Sequence, residues 1–90
     1  MKLKYQFVVR EVAGEHVAVP FGQSSRDLSA MIQLNETGAV IFGMLNDGDV
    51  TADAIVAALQ ERYSIDKATA KQAVDMYLEQ LRSNDLLDEN

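Results

Sequence analysis

Ninety residues, 48 % of them hydrophobic, provide for one modest core, and no run approaches the roughly 20 apolar residues that a membrane span needs. Cysteine is absent, which removes disulfides, thiolate metal sites and cysteine nucleophiles. The net charge of −6 falls wholly on the C-terminal half, residues 1–45 balancing at zero, and a helical half this acidic is poorly suited to neutralising nucleic-acid phosphates.

The opening MKLKYQFVVREV lacks the apolar core and small-residue cleavage site of a signal peptide, so a cytoplasmic protein is expected, with no membrane partner. Within it Tyr5, Phe7 and Val9 alternate with Gln6, Val8 and Arg10, as a half-buried strand requires. Ala13-Gly14-Glu15 reads as a turn into a second strand over His16 to Val19, which Pro20 and Phe21-Gly22 break; together they form a hairpin. Residues 20–28, PFGQSSRDL, have loop composition. Ala30, Ile32 and Leu34 then alternate with Met31 and Gln33 in a third short strand that runs into Asn35.

Three helices follow. Asn35 is placed to cap the first, where Val40, Ile41, Met44 and Leu45 recur on one face and Asp47-Gly48-Asp49 ends the run. Thr51 caps the second, with Asp53 in its electropositive first turn and Ile55, Ala58, Leu59 and Tyr63 as its apolar stripe. Asp66 caps the third and longest, in which Ala70, Ala73, Val74, Tyr77, Leu78 and Leu81 keep helical spacing to about Arg82. Ser83-Asn84-Asp85 interrupts it, and Leu86-Leu87 is expected to fold back on the core. The order β-β-β-α-α-α describes an α+β domain over residues 1–90, winged helix-turn-helix-like, with a three-stranded antiparallel sheet followed by three helices that cover one of its faces.

Residues with chemical potential are few. His16 stands alone, without cysteine or a carboxylate pair at ligand spacing, so no metal site and no cofactor is expected. Ser24-Ser25-Arg26-Asp27 has no base positioned to activate it. Met31, Met44 and Met76 read as gap-filling core, and Gly38 and Gly43, which lack phosphate-loop spacing, as sites of close packing. With no acid/base constellation and no partnered nucleophile, a binding module is expected rather than an enzyme.

The element order, LNETGAVIFGML, the T-x-x-x-I-V-x-x-L-x-x-x-Y of Thr51, Ile55, Val56, Leu59 and Tyr63, and the closing LxxLRxxxLL of Leu78 to Leu87 resemble the PqqD family. Its members are peptide-recognition domains, or RiPP recognition elements, which hold the leader of a ribosomally made precursor peptide for a modifying enzyme, often a radical S-adenosylmethionine enzyme. The likeness runs from about Tyr5 to Leu87, with one departure at Ala73, where the family often carries an acidic residue. It implies that a leader peptide docks on the third strand, Ala30, Met31, Ile32, Gln33 and Leu34. The third helix then forms the groove wall through Lys71, Val74, Asp75 and Leu78, which share a flank by three/four spacing. Main-chain bonds at an open sheet edge would supply affinity and side-chain pockets would choose the peptide.

Two other readings stay open at this level. A winged helix-turn-helix DNA-binding regulator would present Lys67, Thr69, Lys71 and Gln72 to the major groove, with Asp75, Glu79 and the acidic tail opposing it. An interaction domain could instead pair two copies through the same sheet edge; a monomer or weak homodimer is expected. Val74 and Leu78 also suit the core of so small a domain, the third strand could lie inside the sheet, and Lys71 with Asp75 could be an ordinary surface pair.

Overall fold

The computed structural model describes residues 1–22 and 31–89. Among these residues five short strands and three helices follow in order: β1 (Lys2–Leu3), β2 (Phe7–Val12), β3 (Glu15–Pro20), β4 (Ile32–Leu34), α1 (Glu36–Asp47), α2 (Ala52–Tyr63), α3 (Lys67–Ser83) and β5 (Leu87–Asp88). The expected α+β arrangement is present, with three antiparallel strands in the order β2-β3-β4 followed by the three helices.

Ala13 and Gly14 both adopt positive φ, 52° and 81°, and so form a two-residue turn whose twist matches the flanking strands; Val12 faces Glu15 across it. Opposed residues in an antiparallel pair alternate between bonded and non-bonded, so this turn fixes which main-chain groups point where. Val12, Arg10 and Val8 bond β3, while Phe7, Val9 and Glu11 turn their N–H and C=O groups outward. Pro20 ends β3 inside the ladder instead of breaking it beforehand. It lies opposite Phe7, a position whose missing N–H takes no bond from β2.

All three expected caps form. The side chains of Asn35, Thr51 and Asp66 accept the backbone N–H groups of Gly38, Ala54 and Thr69 at 2.6, 3.1 and 2.8 Å. Hydrogen bonding from the Thr69 side chain, and after it from the Thr69 backbone N–H, holds the Asp66 pKa below the usual carboxylate range. The helices lie against one face of the sheet around Phe42, Ile41, Leu45, Ile55, Leu59 and Val74. Phe42, absent from the expected α1 stripe, is fully buried and meets Phe7 edge-on with ring centroids 5.0 Å apart. Val40, Met44 and Tyr63 only flank this core.

Sequence patterning did not reveal the second sheet, in which β1 pairs with β5, Lys2 facing Asp88 and Leu3 facing Leu87. The return that makes it possible is a complete Schellman motif at the end of α3. Asp85 takes a φ of 58° and donates its N–H to the Arg82 carbonyl, while Leu86 donates to Leu81 at 2.9 Å. Leu81 and Leu86, the apolar pair of that motif, are both buried.

Candidate functional site

Among the described residues β3 is central, so β4 is an edge strand. Ile32 and Leu34 face Ala18 and His16, the β3 residues turned away from β2, so they form the bonded pairs. Gln33, between them, directs its N–H and C=O away from the sheet, and the C=O of Met31, which shares a trans peptide unit with the inward Ile32 N–H, points outward as well. Helix α3 runs beside this edge and leaves a groove with two cavities, of about 420 and 370 Å³. Gln33, Tyr77 and Gln80 line both. The first also takes in Leu34, Asn35, Thr37 and Ala73; the second takes in Ile32, Leu81, Asn84 and Leu86.

Tyr77 can lie in the wall of both because Gly38 makes room for its ring: a Cβ on Gly38 would come within 3.0 Å of Tyr77 Cε1 and 2.9 Å of the capping Asn35 Oδ1. The expected close packing is therefore real at Gly38. It does not occur at Gly43, where an added Cβ meets nothing within 4 Å. Burial pushes the Tyr77 phenol up to about 12, so it stays protonated across physiological pH. Met31 and Met76 are not core, as sequence patterning expected, but 66 % and 60 % exposed at the groove.

The expected site residues fall into separate places. Met31, Ile32, Gln33 and Leu34 border the groove; Ala30 lies outside the described residues. Val74 and Leu78 are core, 0 % and 3 % exposed, and Lys71 and Asp75 are exposed on α3 but line neither cavity. The face of α3 that lines the groove is the adjoining one, carrying Ala73, Met76, Tyr77, Gln80 and Asn84. Ala73, the departure from the family pattern, thus places a methyl group at the groove. The five-residue series repeats at helical spacing and mixes apolar with amide side chains, a signal that the more apolar stripe beside it masks.

The opposite edge of the sheet is treated differently. Asn46, in the last turn of α1, accepts the Phe7 N–H at 3.2 Å and donates to the Phe7 carbonyl at 2.8 Å, the two bonds that a neighbouring strand would make. Among the described residues no group of His, Cys, Asp or Glu could hold a metal ion, and no helix is long and apolar enough to cross a membrane.

The family model for Coenzyme PQQ synthesis protein D (PqqD) matches residues 9–87. No curated protein matches the chain. Solved structures of similar shape include TbiB1 in complex with the TbiA(beta) leader peptide, with a TM-score of 0.73 and 23 % identity over 100 % of this chain and 98 % of that one. Another is lasso peptide synthetase B1 complexed with the leader peptide, with a TM-score of 0.67 and 24 % identity over 94 % of this chain and 93 % of that one. At such identities the likeness is one of fold.

Proposed function

The chain belongs to the PqqD family, and from that premise we propose that residues 1–90 act as one peptide-recognition domain, which takes the leader segment of a ribosomally made precursor as an added strand and presents it to a modifying enzyme. One observation carries this reading: β4 turns the main-chain groups of Gln33 outward into a groove walled by α3. The two solved structures of similar shape are both complexes with leader peptides, which supports the same ligand class here. The groove contacts we propose are Met31 and, on β4, Ile32 to Leu34, with Ala73, Met76, Tyr77 and Gln80 on α3. Val74 and Leu78 act from beneath by fixing the helix. On this reading the chain holds the peptide and the chemistry belongs to the partner, a role that radical S-adenosylmethionine enzymes often fill for this family.

The test is a nitrogen–proton correlation NMR titration of the labelled protein with leader peptides encoded by short open reading frames beside its gene. Shifts concentrated on Ile32 to Leu34 and on Ala73 to Leu81 are expected. Unmoved amides there with every candidate leader would remove the reading.

A further inference from the structure

We infer that the segment taken by this groove carries two uncharged anchor side chains two residues apart: an aliphatic one opposite Ile32, and one with an apolar body and a hydrogen-bonding tip opposite Leu34. Resting on the peptide-binding reading above, this goes on to the ligand's own sequence.

The spacing comes from register. A strand added to β4 bonds the outward groups of Gln33 and Met31, so its residue opposite Gln33 points to the sheet face away from the helices. Its residues opposite Ile32 and Leu34 point to the helix-covered face, where Leu34 is already buried. Leu34 lines one cavity and Ile32 the other. Successive same-face residues of a strand lie about 6.7 Å apart, so each anchor enters its own cavity, with Tyr77 in the wall of both. The parity holds for either direction of the added strand.

The chemistry comes from the walls. Although the chain carries a net charge of −6, none of the described residues lining either cavity is Asp, Glu, Lys, Arg or His. A charged anchor would leave water without meeting a counter-charge, whereas an uncharged one meets no such penalty. The cavity at Ile32 is closed by Leu81 and Leu86, which suits a branched aliphatic group. The cavity at Leu34 has Ile41 and the Tyr77 ring as apolar surface and Asn35 and Thr37 as polar groups. Asn35 Oδ1 is committed to the Gly38 N–H, which leaves the Asn35 amide NH₂ to donate to an incoming hydroxyl or carboxamide.

The experiment titrates the labelled protein with capped synthetic peptides of about ten residues on a Thr/Ser background. Each carries one Leu and one Tyr at separations of one, two or three, in both orders, with versions in which either anchor is Asp or Lys. Separation by two is expected to bind at least about tenfold tighter than the others, and a charged anchor to lose at least about tenfold. Tyr77→Ala, by joining the cavities, reduces the spacing preference to below about threefold; the wild-type series decides the matter if that variant does not fold. Shifts on Ile32 to Leu34 with affinities indifferent to spacing and charge would overturn the inference and leave peptide binding standing. Silence with these peptides and with the gene-adjacent leaders alike would overturn both.

Discussion

At the β2 edge of the sheet, Phe7 has both outward main-chain groups held by the Asn46 carboxamide. At the β4 edge, Gln33 turns the same groups toward α3, with a cavity on either side. The two strands are alike in kind, and composition does not separate them: β2 is the longer and richer in valine. What separates them is the neighbour. A side chain from α1 stands in for a missing strand at one edge, while at the other a helix passes close enough to wall a groove and too far to fill it. An edge is made available by what the rest of the fold leaves undone.

That contrast can be attacked from either side. The largest effect is expected on the β4 side from Leu81→Ala, which empties a buried wall shared by the Schellman motif and the second cavity. Urea denaturation should show a loss of about 2–5 kcal/mol. On the β2 side, Asn46→Ala should cost about 1–3 kcal/mol and speed exchange of the Phe7 amide, with affinity for a β4-directed peptide unchanged. Equal loss of affinity in this variant would mean that the two edges are coupled. Gln33→Pro removes an outward N–H and no bond to β3, so stability should hold while calorimetry shows peptide affinity falling by at least about tenfold. Val9→Pro, the matching change at the β2 edge, should leave that affinity alone. The smallest effect is expected at the hairpin that joins β2 to β3, where Ala13→Asn suits the positive φ better and should add about 0.5–1 kcal/mol without touching binding.

The caps and the hairpin were legible in the sequence because each is a local event: a short polar side chain before an apolar helical stripe, or a Gly-containing turn between alternating runs. The β1–β5 sheet was not, since strands of two residues have no period to detect and their pairing spans nearly the whole chain, Lys2 to Asp88. The groove was legible by half. Its strand residues Ile32, Gln33 and Leu34 follow from alternation. Its helix residues do not follow from apolarity, because on α3 the strongest stripe, through Val74, Leu78 and Leu81, is the one the core consumes. Lys71 and Asp75 were grouped with that stripe by spacing alone, and the face with Tyr77 and Gln80 lies beside it. Helical spacing identifies stripes; only the placement of α3 across the groove from β4 says which of them borders the edge.

The brevity of β4 also sets a time scale. On the proposed reading, an incoming strand finds the N–H and C=O groups of Gln33, the C=O of Met31 and little more. At about 1 kcal/mol net for each bond, the ladder alone would hold a ligand only at millimolar strength. Everything tighter must come from the two anchors. Since changes in affinity within one interface appear mainly as changes in departure rate, those anchors govern how long a peptide stays. A long, fully paired edge would keep its cargo; a three-residue one can release it and begin again.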